Sequence, residues 1–84
     1  MNIYVGNLNY KIKESDLKQA LEAYGEVGSV RFIKDRETHR FRGIAFAVME
    51  DDEAAAKAIA ELNGTEFYGR RLVISEAKSN NDNR

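Results

Sequence analysis

The chain has 84 residues, of which 43% are hydrophobic and 32% are charged, and its formal net charge at pH 7 is -1. This size and composition favour one small globular domain, and no apolar run approaches the roughly 18 residues that a membrane-spanning helix requires. The absence of cysteine excludes disulfides, thiol catalysis and thiolate metal sites, and the lone histidine does not make a zinc site.

The sequence begins with a predicted strand followed by a predicted helix. The segment NIYVGNL is a short β-branched and aromatic run, which predicts a strand at about residues 2–6. From Leu17 to Tyr24 the apolar residues recur at i, i+3, i+4 and i+7, which predicts an amphipathic helix over residues 14–24. Gly25 is expected to end this helix.

Two further strands are predicted on either side of a polar loop. The segments SVRFIK, residues 29–34, and RGIAFAVM, residues 42–49, are joined by DRETHRF and together predict one hairpin. The alternating residues of RGIAFAVM leave neither face polar. This strand is therefore covered on both faces, or one face is kept apolar for a ligand.

The two predicted helices begin differently. Lys13 stands where a Ser or Thr would cap the first helix, whereas Asp51 and Asp52 are candidate caps for the second. From Ala55 to Leu62 the same helical spacing of apolar residues returns, and the dipeptide NG is expected to end the second helix.

The chain closes with a predicted strand and a polar tail. A turn containing Gly69 precedes RLVISEA, which predicts the last strand over residues 71–77. Residues 79–84 have nothing apolar to bury, so we expect them to be disordered and the domain to span residues 1–78.

The order strand, helix, strand, strand, helix, strand is typical of an α+β protein with the ferredoxin-like βαββαβ sandwich. Right-handed crossovers place both helices on one face of a four-stranded antiparallel sheet, with the first and third strands adjacent at its centre. One face of the sheet is then covered by helices, and the other is not.

The uncovered face is predicted to have an apolar centre flanked by cations, which is typical of a binding surface. Its residues are Tyr4, Arg31, Ile33, Arg42, Ile44, Phe46 and Val73. Tyr4 and Phe46 are expected side by side, where each ring can stack on one flat base. Arg42, Arg31 and Lys34 are the candidates for meeting phosphates.

The charges of the chain fall into separate segments. Residues 31–42 are rich in Arg and Lys, whereas residues 50–61 are rich in Asp and Glu. Polar groups from Ser75 to Lys78 are further candidates for hydrogen bonds to base edges. Because the bases of a duplex are already stacked on one another, the expected target is a single strand.

Two segments resemble the paired motifs of a known family. IYVGNL, residues 3–8, and RGIAFAVM are similar to the hexamer and octamer of the RNA recognition motif, and the likeness extends over residues 2–78. It is closest to short single-domain versions of the family, such as those of bacteria.

This resemblance implies roles for particular residues. Tyr4 and Phe46 correspond to the two base-stacking aromatics, and Arg42 corresponds to the phosphate contact. The chain departs from the family at Ile44, where a third aromatic usually packs against ribose.

Other aromatic residues are expected to be structural by their position. These are Tyr10, Tyr24, Phe67 and Tyr68. Phe41 is expected to pack on its hairpin neighbours, and the alternative is that it folds over the open face in place of the aromatic missing at position 44.

The leading hypothesis is a non-catalytic, cytoplasmic, monomeric module that binds about two to four unpaired nucleotides of RNA, with single-stranded DNA as an alternative ligand. The second hypothesis is a protein-binding module that uses the same apolar face. Acylphosphatases share the fold, but the loop GNLNYKIK has neither an Arg nor a Gly-rich phosphate cradle. We therefore predict no catalytic residue, no metal, no cofactor and no membrane contact.

Overall fold

The computed structural model describes residues 1–77, so Lys78 and the predicted tail lie outside the described residues. The elements in chain order are β1 (Asn2–Gly6), α1 (Glu14–Glu22), β2 (Ser29–Lys34), β3 (Phe41–Val48), α2 (Asp52–Leu62), β4 (Glu66–Phe67), β5 (Arg70–Arg71) and β6 (Val73–Glu76). Neither helix within residues 1–77 has the length and apolar character needed to span a membrane.

The ferredoxin-like fold predicted from the element order is confirmed. The main sheet has four antiparallel strands in the order β2-β3-β1-β6, so β1 and β3 lie at its centre. A second, two-stranded sheet pairs β4 with β5.

The hydrophobic core lies between the helices and one face of the main sheet. Helices α1 and α2 contribute Leu17, Leu21, Ala55 and Ala58 to this core. The fully or almost fully buried strand residues are Ile3, Val5, Ala45, Ala47 and Ile74. The loops add Leu8, Ile12, Val27, Met49 and Leu72, most of which no periodic pattern marks.

The two helices begin as the sequence indicated. Asp51 caps α2, because its Oδ1 accepts hydrogen bonds from the backbone N–H groups of Glu53 at 2.9 Å and Ala54 at 3.2 Å. At α1 the Lys13 side chain makes no capping hydrogen bond. The Lys13 backbone N–H instead donates to Asp16 Oδ2 at 2.9 Å, which is half of a capping box.

Gly25 has a different role from the predicted helix stop. Helix α1 ends at Glu22 with Ala23 in a right-handed conformation, and Gly25 lies beyond it. A Cβ atom at Gly25 would lie 2.6 Å from the Cβ atom of Ala54. Gly25 is therefore small because α2 packs directly against the segment after α1.

The last part of the chain contains a hairpin that the sequence did not reveal. Strands β4 and β5 have two residues each and enclose Tyr68 and Gly69, both at positive φ. The final strand β6 is consequently shorter than the predicted span. The side chain of Asn9 fixes the hairpin, since its Nδ2 donates to the carbonyl of Tyr68 at 2.8 Å.

Side chains from outside the main sheet bind backbone groups on both of its edge strands. The Phe32 N–H of β2 donates to Glu14 Oε2 at 3.3 Å, and the Ile74 N–H of β6 donates to Asn63 Oδ1 at 3.0 Å. One amide of each edge strand is thus satisfied by a residue of, or just after, a helix.

Candidate nucleic-acid interface

One row of side chains crosses all four strands on the face without helices. In this row Arg31 of β2 is paired with Phe46 of β3, Phe46 with Tyr4 of β1, and Tyr4 with Ser75 of β6. Side chains alternate between faces along a strand, so directly paired residues share one face. The register therefore places these four predicted site residues together.

The two aromatic rings of the row contact each other edge to face. The ring centroids of Tyr4 and Phe46 are 5.8 Å apart, and the ring planes meet at 61°. Both residues are half-buried although no helix covers them. Each ring therefore supports its neighbour and still has surface open to solvent, and the two rings present separate surfaces rather than one flat platform.

Gly6 determines where the Tyr4 ring lies. A Cβ atom at Gly6 would lie 2.5 Å from the Tyr4 hydroxyl and 3.0 Å from Cζ of the same ring. The Tyr4 side chain thus lies along β1 and occupies the space that a side chain at position 6 would need. Gly6 therefore contributes to the candidate interface by leaving room for the Tyr4 ring.

A second row next to the aromatic one is aliphatic. Ile33 of β2 is paired with Ile44 of β3, and both are half-buried. At the opposite edge of the sheet, Val73 of β6 is paired with Gly6 and is 49% exposed. The predicted apolar centre of the open face is therefore present, with Ile44 as an aliphatic neighbour of the two rings.

A β-bulge interrupts β3 at its first residues. The pairing passes from Ile33 with Ile44 to Lys34 with Phe41, so Arg42 and Gly43 have no partner in the ladder. Gly43 is at φ 78°, a conformation that favours glycine. The simple alternation that places Arg42 in line with Ile44 is broken here, and Arg42 lies at the end of the sheet.

Lys34 is less favourably placed for contacting a ligand on the open face than the sequence suggested. Its partner is Phe41, and alternation along β2 puts it on the same side as Phe32, which packs against the core. Arg31 is the cation that lies within the aromatic row. It is exposed and forms no ion pair among residues 1–77.

A shallow groove lies at the end of the open face where β1 begins. It has a volume of about 630 Å³ and is lined by Asn2, Ser29, Val30, Arg31, Phe46, Ala47, Val48 and Ala77. Arg31 and Phe46 belong to both the groove and the aromatic row. The aromatic row therefore continues into a concave surface rather than a flat one.

A second aromatic cluster was not recognised from the sequence. Phe41 stacks on Phe32, with ring centroids 4.4 Å apart, as expected for a hairpin residue that packs on its neighbours. Tyr10 meets Phe41 edge to face at 6.1 Å, yet it is 68% exposed. Tyr68 is likewise 54% exposed and packs on Phe67, so each of these two tyrosines has one aromatic neighbour and a largely open surface.

The loop beside this cluster is held by a carboxylate. Asp35 Oδ1 accepts hydrogen bonds from the backbone N–H groups of Thr38 at 3.1 Å and Glu37 at 2.8 Å. These hydrogen bonds lower the pKa of Asp35 below its ordinary value, and the bond from Thr38 makes the largest contribution. The nearby positive charge of Arg42 lowers the pKa further. The β2–β3 loop is therefore shaped by an ionised side chain.

The sequence matches one family model along most of its length. The model of the RNA recognition motif matches residues 3–73. A protein of Nostoc sp. (strain PCC 7120 / SAG 25.82 / UTEX 2576), named "Putative RNA-binding protein RbpD", is 49% identical over 84 residues, covering 100% of this chain and 89% of that protein.

Solved structures agree with this match. A crystal structure of the RNA-binding protein PG1 has 52% sequence identity and a TM-score of 0.91, and the match covers 98% of this chain and 99% of that chain. The RNA recognition motif of RNA15 has 27% identity and a TM-score of 0.84, covering 93% and 90% of the two chains. The chain belongs to the RNA recognition motif family.

Proposed function

We propose that this protein is a non-catalytic module that binds single-stranded RNA across the open face of its sheet. The observation that carries the proposal is the direct pairing of Tyr4 with Phe46 on a face that no helix covers. RbpD and PG1 each share about half of their residues with this chain, and both are named as RNA-binding proteins. These names support RNA as the ligand.

Stacking explains why unpaired nucleotides are the preferred ligand. Each ring has an accessible surface on which one base can stack, and each such contact contributes about 1–3 kcal/mol whatever the base. In a duplex both faces of every base are already covered by neighbouring bases. The two rings at the sheet centre therefore select flexible, unpaired segments.

Stacking alone does not give useful affinity. Two stacked bases contribute about 2–6 kcal/mol, whereas micromolar binding needs about 8 kcal/mol. Arg31 is the cross-strand partner of Phe46 in the same row, and from there its guanidinium can meet a phosphate. Ser75, paired with Tyr4 on the other side, is exposed and offers a hydroxyl to a base edge.

A protein-binding function is the second candidate. Ile33, Ile44 and the half-exposed Val73 make much of the open face aliphatic, and an apolar patch of this kind also suits a peptide. The two functions differ in what they require of position 46. A base needs an aromatic ring, whereas an apolar peptide surface needs only comparable apolar area.

The substitution Phe46→Leu separates these functions. It keeps an apolar side chain of similar size and removes the ring, so we expect affinity for a labelled single-stranded RNA to fall about tenfold. Fluorescence anisotropy measures the dissociation constant. The variant Phe46→Tyr keeps the ring and serves as the matched control, with affinity close to that of the parent protein.

The affinities of these variants also show which of the two candidate functions is wrong. A folded Phe46→Leu variant that binds RNA as well as the parent protein rules out stacking at Phe46. If neither the parent protein nor Phe46→Tyr binds RNA, or the complex is insensitive to salt, the protein-binding function is favoured. Amide NMR spectra establish that each variant is folded.

A further inference from the structure

One side chain at the end of β1 connects the open face with the hairpin of β4 and β5. Asn7 follows Gly6 directly, and its Nδ2 donates to the carbonyl of Arg71 at 2.7 Å. Its Oδ1 accepts from Nη2 of Arg70, also at 2.7 Å. A single side-chain amide therefore joins the end of β1 to two successive residues that lie 63 and 64 positions later in the chain.

The backbone of Asn7 turns the chain out of the strand. Its φ of 59° is in the left-handed region, which most side chains avoid and which asparagine tolerates. Strand β1 ends at Gly6, so Asn7 is the first residue beyond the sheet. The two side-chain hydrogen bonds hold this turned residue against the hairpin.

The backbone next to Asn7 supports the Tyr4 ring. The Tyr4 hydroxyl lies 2.5 Å from the place that a Cβ atom of Gly6 would occupy, so the ring lies against the backbone of Gly6. Glycine has the greatest backbone freedom of all residues, so Gly6 does not fix its own conformation. Its conformation depends on its pairing with Val73 and on the residue that follows it. A change at Asn7 therefore moves the surface on which the Tyr4 ring lies.

The hairpin is attached to Gly6 by a second route as well. Strand β5 ends at Arg71, and Leu72, which is 1% exposed, leads into β6, where Val73 pairs with Gly6. The partners of Asn7 and the partner of Gly6 thus belong to one short stretch of chain. The hairpin and the end of β1 form one connected unit beside the aromatic row.

The hydrogen bonds of Asn7 act mainly on local structure. Asn7, Arg70 and Arg71 are all exposed, and an exposed hydrogen bond replaces one that water would make. Its net contribution to global stability is therefore small, whereas its loss frees the end of a strand. Within residues 1–77 Arg70 forms no ion pair, and its guanidinium is bonded to the Asn7 amide.

We propose that Asn7 is a positioning residue for the Tyr4 ring and that Arg70 acts through Asn7. Neither side chain contacts the RNA in this role. Their hydrogen bonds fix the backbone of Gly6, and this backbone fixes the orientation in which the ring meets a base. The inference rests on the proposed stacking of RNA on Tyr4 and adds to it the groups that hold the ring.

The substitution Asn7→Gly tests the proposal, because glycine keeps the left-handed backbone and removes both side-chain hydrogen bonds. We expect affinity for the labelled single-stranded RNA to fall about threefold or more. In a protein that also carries Tyr4→Leu, the same substitution should leave the affinity unchanged, since no ring remains to be positioned. Fluorescence anisotropy gives the four dissociation constants of this double-mutant cycle.

The substitution Arg70→Ala distinguishes positioning from a direct contact with phosphate. If Arg70 acts through Asn7, Arg70→Ala lowers the affinity of the parent protein but not that of Asn7→Gly. The slope of log affinity against log salt concentration then stays as in the parent protein. A direct phosphate contact would instead flatten this slope by about 0.7 in either background, and the role assigned to Arg70 would be wrong.

The substitution Asn9→Ala is the matched control for a merely structural effect. The Asn9 side chain also holds the hairpin, through its bond to the Tyr68 carbonyl, but Asn9 lies further along the chain from Gly6. We expect Asn9→Ala to lower the free energy of unfolding, measured in urea, and to leave RNA affinity unchanged. Equal losses of affinity in Asn9→Ala and Asn7→Gly would overturn the proposal.

The double-mutant cycle also keeps this inference apart from the proposed function. If Tyr4→Leu weakens RNA binding and Asn7→Gly does not, the positioning role is overturned and stacking on Tyr4 stands. The same conclusion follows if Asn7→Gly weakens binding equally with and without the Tyr4 ring. If Tyr4→Leu leaves RNA binding unchanged, stacking on Tyr4 is wrong, and the positioning role is wrong with it.

Discussion

At the scale of single residues, two glycines shape the aromatic surfaces in different ways. Gly6 leaves room for the Tyr4 ring, and the atoms that a side chain there would meet belong to that ring. At Gly43 a Cβ atom would meet the backbone carbonyl of Leu8 at 3.2 Å, and φ is 78°. A ring can move aside, but backbone in a bulge cannot do so without disturbing the sheet.

The substitution Gly6→Ala is therefore expected to affect binding more than stability. The new methyl group displaces the Tyr4 ring, at a cost of about 1 kcal/mol, while the lower flexibility of the unfolded chain returns a similar amount. We expect RNA affinity to fall several-fold with little change in the free energy of unfolding. Anisotropy titrations and urea denaturation measure the two quantities.

Gly43→Ala is the contrasting variant. It forces a side chain into a left-handed conformation, which costs about 1–2 kcal/mol, so the free energy of unfolding should fall clearly. If Gly6→Ala destabilises the protein as much as Gly43→Ala does, the ring has not moved aside and the assignment of Gly6 to the site is wrong.

At the scale of secondary-structure elements, the helix starts show what a sequence pattern contains. Asp51 was predicted as a cap because its side chain acts within three residues, and the structure confirms it. Lys13 was predicted to cap poorly, and its side chain makes no capping bond. Yet Lys13 has the extended backbone of a cap, with φ -109° and ψ 162°, and Asp16 already binds its N–H.

A serine at position 13 should complete this arrangement. Lys13→Ser supplies the hydroxyl that accepts from the backbone N–H of Asp16, and we expect the free energy of unfolding to rise by about 0.5–1 kcal/mol. Asp51→Ala should lower it by about 1 kcal/mol, since α2 loses its cap. Urea denaturation curves compare both variants with the parent. A Lys13→Ser protein no more stable than the parent would show that the start of α1 gains nothing from a hydroxyl cap.

The features that the sequence did not reveal depend on contacts between distant segments. Gly25 resembled a helix stop, but its small size is set by Ala54, which lies 29 positions later in the numbering of the chain. Strands β4 and β5 are too short to produce an alternating pattern. The bulge at Gly43 similarly depends on register with β2, so a simple alternation placed Arg42 with Ile44. Within the regular part of the sheet, alternation placed Tyr4 and Phe46 on one face, as observed.

At the scale of the whole molecule, charge is divided between the two ends of the main sheet. Lys34, Arg40 and Arg42 lie at the end where β2 finishes and β3 begins. Acidic side chains gather at the other end, where Glu50 and Asp51 follow β3. The sequence indicated separate charged segments, and the antiparallel hairpin turns this separation along the chain into one along the sheet. The small net charge hides this division.

The division of charge predicts the salt dependence of RNA binding. For a single-stranded ligand, the slope of log affinity against log salt concentration becomes less steep by about 0.7 for each phosphate contact that is removed. Arg42→Ala should therefore flatten the slope by about that amount, whereas Lys57→Ala on α2 should leave it unchanged. Titrations at several salt concentrations give the slopes. Identical slopes for the two variants would exclude a phosphate contact at Arg42.

The hydrogen bonds from Phe32 to Glu14 and from Ile74 to Asn63 have a consequence for molecules that meet at high concentration. The unpaired N–H and C=O groups of an exposed edge strand can form hydrogen bonds with a strand of another molecule. Many small β-rich proteins begin to form fibrils in this way. Here each edge strand has a donor already occupied by a side chain, so an incoming strand finds one backbone group unavailable. We expect concentrated solutions of the protein to resist polymerisation through its edges.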